Sequence, residues 1–272
     1  MKKILTFLAL FALICAPMMA QYERVNDINY RPDATDAYAQ ERCRLDVYYP
    51  TQLHDAPVVV WFHGGGLEGG GKDIPAELQD EGYVVVAANY RFLTRATIDD
   101  CIDDAAAAVA WTFQHAAEYH GSARKVFVTG HSAGGYLTDL IGLDKHWLAK
   151  YGVDADSIAG LLPLSGQVIT HYNVRKPQGK GPLEPTIDQY APLAHLRADA
   201  PPMVIISGDR ELELYGRYEE QAYFWRMLRL VGHPECSLYE IQGFDHGAMW
   251  RPGLHIVKSH IKSILQKNAG SE

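Results

Sequence analysis

A serine hydroxyl attacks a carbonyl near neutral pH only when a base stands ready to take its proton, and the chain has one serine set up for that task. Val126-Phe-Val-Thr-Gly-His-Ser-Ala-Gly-Gly135 runs a β-branched and aromatic stretch directly into a Gly-x-Ser-x-Gly pentapeptide. The pattern predicts a strand, a tight turn with Ser132 at its apex, and a helix beginning at Ala133. Gly130 and Gly134 carry no side chains, so the backbone can turn sharply while the serine takes a strained conformation and projects its hydroxyl outward. The chemistry such an elbow serves is acyl transfer. It requires a base, a group that orients the base, and donors for the negative oxygen of the tetrahedral intermediate.

Donors are available at His63-Gly64-Gly65-Gly66, which leaves the apolar run Pro57-Val-Val-Val-Trp-Phe62. Three residues free to take positive φ allow successive N–H groups to converge on one point. The expected oxyanion donors are the N–H groups of Gly65, Gly66 and Ala133, with His63 structural. Among the histidines, His246 in Gly243-Phe-Asp-His-Gly247 follows the last strand pattern and precedes the last helix, which makes it the candidate base. His131, beside the serine, is expected to point to the opposite side of the turn. His115 and His120 fall late on a helix; His54, His195, His233, His255 and His260 have no strand-end setting, and His146 and His171 are left open. The acid should follow the strand Pro202-Met-Val-Ile-Ile-Ser207, where Ser207-Gly-Asp-Arg-Glu211 offers Asp209 and Glu211. Spacing alone does not separate the two.

These residues need elements that hold them together. Cys43–Tyr49 alternates apolar and polar side chains and predicts a strand near a sheet edge; Pro57–Phe62 and Tyr83–Ala88 are continuous apolar runs, as in strands buried on both faces. Thr97–His120 has apolar residues at three- and four-residue spacing with acids in its first turns, a helix ended by Gly121. Further helices are expected at Ile74–Glu81, Ala133–Leu143, Arg217–Val231 and His255–Leu265, and further strands at Ala159–Ser165 and Ser237–Ile241. Residues 21–42 read as an entry segment with little structure, and 167–198 as a Pro/Gly-rich connection too broken for one long element. Strands alternating with helices describe an α/β chain with a mainly parallel sheet, helices on both faces and ligand-binding loops at the carboxyl ends of the strands.

Met1-Lys-Lys followed by twelve apolar-rich residues and a small residue at Ala20 has the form of a secretory signal peptide, too short to span a bilayer. Cleavage after Ala20 would leave 21–272 as one catalytic domain, secreted or periplasmic; lipoprotein anchoring through Cys15 is disfavoured by the bulky Ile14 before it. With 25 basic and 33 acidic residues the chain carries a formal charge of −8, which disfavours nucleic acid and anionic membrane as partners. Cys43, Cys101 and Cys236 would remain after cleavage, so at least one stays without an intrachain partner, and their spacing matches no metal site. No metal and no cofactor is expected.

Taken together, the order Ser132, then Asp209 or Glu211, then His246, with His63-Gly-Gly-Gly upstream, resembles the α/β-hydrolase fold, more narrowly the hormone-sensitive-lipase-like carboxylesterases and the BD-FAE-like feruloyl and acetyl esterases. Leu45-Asp-Val-Tyr-Tyr-Pro50, Ala88-Asn-Tyr-Arg91, Asp103-Asp104 and Trp111 extend the resemblance over most of the chain after residue 20. In that family the acid often falls in a His-Gly-x-x-Asp pattern, which lands here on Glu211 with Ser207 in place of the histidine and leaves Asp209 as the alternative. Leu67 stands where an aromatic residue often follows the glycines. The resemblance implies a serine ester hydrolase without a large cap domain, acting on acetyl, feruloyl or similar short acyl esters of carbohydrates, with one wall of its site at 173–190 and another at Met249 and Trp250. A prolyl-oligopeptidase-type peptidase and an inactive hydrolase-like binding protein are the alternatives.

Overall fold

The computed structural model describes residues 21–270; the expected signal peptide lies outside them. Eight strands form one sheet: β1 (Tyr22–Asn29), β2 (Arg44–Pro50), β3 (Ala56–Phe62), β4 (Val84–Ala88), β5 (Gly121–His131), β6 (Gly160–Leu164), β7 (Met203–Gly208) and β8 (Cys236–Ile241). Their order is β1-β2-β4-β3-β5-β6-β7-β8. β2 pairs antiparallel with β1 and β4, and all other neighbours are parallel. The helices are α1 (Ala37–Arg42), α2 (Ile98–His115), α3 (Ala133–Leu143), α4 (His146–Ala149), α5 (Tyr172–Arg175), α6 (Arg217–Leu230) and α7 (Trp250–Ala269). This is the mainly parallel α/β architecture that the alternation of patterns predicts.

Period-2 alternation divides the core between the two faces of the sheet. In β3, Val58, Val60 and Phe62 pack with residues of α2, α3 and α6, such as Ile102, Leu137 and Phe224. Val59 and Trp61 face the other way, onto Leu254, Val257 and Ile261 of α7 and onto Ile74 and Leu78. Burial on both faces accounts for the unbroken apolar runs of the central strands.

Three elements depart from the sequence expectation. Residues 21–42 form edge strand β1 and helix α1; β1 exposes most of its side chains, so its pairing to β2 leaves no apolar alternation to read. The helix expected at 74–81 shrinks to one 3₁₀ turn, Ala76–Leu78, bounded by Pro75 and by Asp80, whose φ is 59°. The last helix starts five residues early, at Trp250, because Pro252 lies in its first turn, where the missing N–H is not needed.

One polar anchor ties this frame to the site. Asp104 of α2, fully buried, accepts from Arg91 Nε and Nη2 at 2.8 and 2.9 Å, from the Arg91 N–H at 3.0 Å, and from Arg31. Thr97 begins that helix with a reciprocal capping box to Asp100. The anchored Arg91 follows Tyr90, whose hydroxyl donates to the His63 carbonyl at 2.9 Å and whose ring stacks on His63 with centroids 4.5 Å apart. Removing the carboxylate would leave two guanidinium groups without their buried partner. Asp104→Ala should therefore lose about 3–5 kcal/mol of stability in urea unfolding, a far larger change than substitution of an exposed acid such as Asp33.

Candidate active site

The elbow is built by crowding. An added Cβ on Gly134 would lie 2.1 Å from the Phe62 carbonyl oxygen, and one on Gly130 would lie 2.6 Å from the Gly134 backbone. Helix α3 can thus start hard against the end of β3 only with glycine at both places, and the turn forces Ser132 to φ 56°, a strained value for a residue with a side chain. Ser132 is the N-cap of α3 but makes no side-chain cap, so its hydroxyl stays available.

That hydroxyl lies 2.8 Å from His246 Nε2. On the far side of the ring, Nδ1 lies 2.8 Å from Glu213 Oε2. The carboxylate facing His246 is therefore Glu213, which corrects the sequence expectation of Glu211 or Asp209. Main-chain bonds from Leu212 and Glu213 N–H to the Asp209 carbonyl make a helical turn after β7, and this turn folds Glu213 back over the strand end. Gly208 leaves the room: a Cβ there would lie 3.0 Å from Glu213 Oε1. Glu211 is exposed on the outside of the turn. Asp209 accepts from the N–H groups of Glu211 at 2.9 Å and Gly243 at 2.7 Å, which stitches the β7 loop to the loop that carries His246.

Glu213 is almost sealed from solvent, its side chain 1% exposed. Oε1 accepts from the Ser165 hydroxyl at 2.6 Å and the Gly208 N–H at 3.0 Å; Oε2 accepts from His246 and, at 3.1 Å, from the Leu214 N–H. Burial alone would raise this carboxyl. The His246 hydrogen bond and charge, with those from Ser165 and Gly208, outweigh it and lower the pKa to about 2. An ionised Glu213 fixes the proton on Nδ1 and leaves Nε2 as the acceptor for the Ser132 hydroxyl. Ser165, at φ 49° just past β6, also lies 2.9 Å from His246 Nδ1. In sequence it is only the end of a strand, and nothing in its apolar setting marks it as part of the site.

Gly65 (φ 114°) and Gly66 (φ 66°) form a tight turn in which Glu68 and Gly69 N–H donate to the Gly65 carbonyl. Asn173 Nδ2 donates to the Gly66 carbonyl at 2.7 Å and fixes that peptide. Among the described residues, no protein acceptor takes up the N–H groups of Gly65, Gly66 or Ala133. Gly65 and Gly66 line a cavity of about 350 Å³ together with Ser132 and His246. Ser132, His246 and the two loop glycines thus converge as expected from sequence. His131 does not turn away as expected: it lines the same cavity, and its Nε2 lies 2.8 Å from the His246 carbonyl. His171, Asn173 and Pro182 supply a wall from the segment after β6; Trp250 lines a neighbouring cavity of about 390 Å³ with Trp61, while Met249 is buried in the core. Cys43, Cys101 and Cys236 are free thiols, the first two buried.

The model of the BD-FAE family matches residues 45–159, a stretch that contains His63-Gly-Gly-Gly and Ser132 but neither Glu213 nor His246. A probable carboxylic ester hydrolase, LipM of Mycobacterium tuberculosis, is 28% identical over 177 residues, 56% of this chain and 41% of that protein. The carboxylesterase NlhH of the same species is 37% identical over 101 residues, 35% of this chain and 32% of that one. The aligned stretches thus span less than half the length of these relatives. Among solved structures, esterase 2 of Thermogutta terrifontis superposes with a TM-score of 0.69 at 23% identity, covering 91% of this chain and 96% of that one. A truncated carbohydrate esterase from gut microbiota superposes with a TM-score of 0.74 at 15% identity, covering 92% and 98%.

The geometry separates the three acids of the β7 loop by experiment. Glu213→Gln should lower kcat on a chromogenic ester by about 10³–10⁴-fold, whereas Glu211→Gln should leave it within about twofold. A second outcome concerns stability. Burial lowers the pKa of His63 to about 4 and that of His171 to about 3, against 6.5 for an exposed histidine. As pH falls below 6.5 the unfolded chain takes up protons that the folded chain refuses, so stability is full above 6.5 and declines toward pH 4. Each histidine should cost about 2 kcal/mol by pH 5. His171→Gln should therefore shrink the difference between melting temperatures at pH 7.5 and pH 5.

Proposed function

We propose that this chain belongs to the α/β-hydrolase esterases and hydrolyses carboxylic esters through an acyl-enzyme on Ser132. The observation that carries the reading is the unbroken relay from Ser132 Oγ through the His246 ring to Glu213, 2.8 Å at each step. Ser132 attacks the ester carbonyl as its proton passes to His246 Nε2, and the imidazolium so formed is stabilised by the ionised Glu213. The N–H groups of Gly65, Gly66 and Ala133 receive the oxyanion. His246 then protonates the departing alcohol, and a water activated by the same ring releases the acid.

The substrate reading is finer. A site that no large cap covers among the described residues, the BD-FAE match and the likeness to a carbohydrate esterase support short acyl esters of carbohydrates, with acetyl and feruloyl groups first. The N-terminal sequence supports action outside the cytoplasm after cleavage at Ala20.

Ser132→Ala should lower kcat on 4-nitrophenyl acetate by about 10⁵–10⁶-fold and abolish labelling by a fluorophosphonate probe. Wild-type protein that hydrolyses neither acetyl, feruloyl nor longer acyl esters, and takes no label at Ser132, would exclude an ester hydrolase.

A further inference from the structure

The cavity that holds Ser132 is also lined by Arg217, a residue the acyl-transfer steps do not use. Arg217 is only 6% exposed. Its Nη1 donates to the Ser165 carbonyl, its Nε has no partner, and among the described residues no carboxylate comes within ion-pair distance of it. A guanidinium cannot escape its charge by losing a proton, and charges taken out of water are ordinarily paired.

Two carboxylates, Glu220 and Glu213, act on this charge through their fields, but neither contacts it. Arg175, also buried, spends its Nη groups on the carbonyls of Thr170 and Pro182 and adds a second positive charge. Glu220 is close enough to act on both guanidinium groups through its field, but it contacts neither; it accepts weakly from Gln167 at 3.4 Å, and burial raises its pKa. Glu213 is committed to His246 and Ser165. Arg217 is also the first residue of α6, a fourteen-residue helix whose N-cap, Gly216, supplies no side-chain acceptor, so the positive end of the helix adds to the same potential.

We propose that Arg217 anchors a carboxylate carried by the substrate, so that the ester best matched to this site bears a negative charge near its scissile carbonyl. The charge would sit either on the acyl side, as in a hemiester of a dicarboxylic acid, or on the alcohol side, as in an ester of an acidic sugar. The inference rests on the ester-hydrolase reading and narrows it. The anion supplies the contact counter-ion that the fold withholds, and it meets the guanidinium in a largely water-excluded site, where a charge-assisted hydrogen bond is strong.

Two matched pairs of esters test the two sources. On the acyl side, 4-nitrophenyl hemisuccinate is compared with 4-nitrophenyl butyrate; on the alcohol side, 4-acetoxybenzoate with 4-acetoxybenzamide. In one pair the anionic member should have the higher kcat/KM by about 10–100-fold, mainly through KM. Because Arg217 also holds the Ser165 carbonyl, its substitution lowers both rates, and the ratio within the pair is the readout. Arg217→Gln should bring that ratio near one, and Arg217→Lys should restore part of it. A wild-type ratio near one in both pairs, or a preference that survives Arg217→Gln, overturns the proposal while leaving ester hydrolysis standing. If no ester is turned over, the hydrolase reading falls, and calorimetry with monomethyl succinate decides the anchor separately: binding lost in Arg217→Gln supports it, and no binding to the wild type overturns it.

Discussion

A carboxylate withdrawn from water must be given back its hydrogen bonds from the protein, and the site depends on how Glu213 is supplied with them. Four donors reach it from four places: Gly208 at the end of β7, Leu214 in the following turn, Ser165 past β6 and His246 past β8. Three adjacent strand ends are thereby brought to one pair of oxygens. The same bonds keep the group ionised although it is buried, and an ionised Glu213 selects the histidine tautomer that can accept from Ser132.

A second constraint is steric. The first turn of α3 lies so close to the Phe62 and His63 carbonyls that no Cβ fits at Gly134, and this contact registers Ser132 against the loop that follows β3. The loop is held from its other side by Tyr90 on His63 and by Asn173 on Gly66. The loop glycines and Ser132 therefore share a frame set by backbone packing, and side-chain hydrogen bonds from Tyr90 and Asn173 fix its first and last peptides.

Much of this is legible in the sequence because it is local. The elbow is a strand, two glycines and a helix in consecutive residues, and the parallel sheet follows from apolar runs punctuated by turns. The acid is not local. Asp209, Glu211 and Glu213 stand at alternate positions in one loop, and only the helical turn after Gly208 decides which of them faces inward. Counting from Gly208 by the family pattern stops two residues short. Ser165 and Arg217 escape for a related reason: a serine closing an apolar strand and an arginine opening a helix are both ordinary in sequence, and what distinguishes them is the group each meets across the sheet. Edge strand β1 leaves no signature in the sequence because most of its side chains face water.

The contact between His131 and the carbonyl of His246 ties the two sides of the site together a second time. His131 immediately precedes Ser132, and the carbonyl belongs to His246, so the two residues are joined by a short bridge as well as by the long route through β5 to β8. The spacing between the Ser132 hydroxyl and the His246 ring is thus set from the backbone side as well as through the sheet.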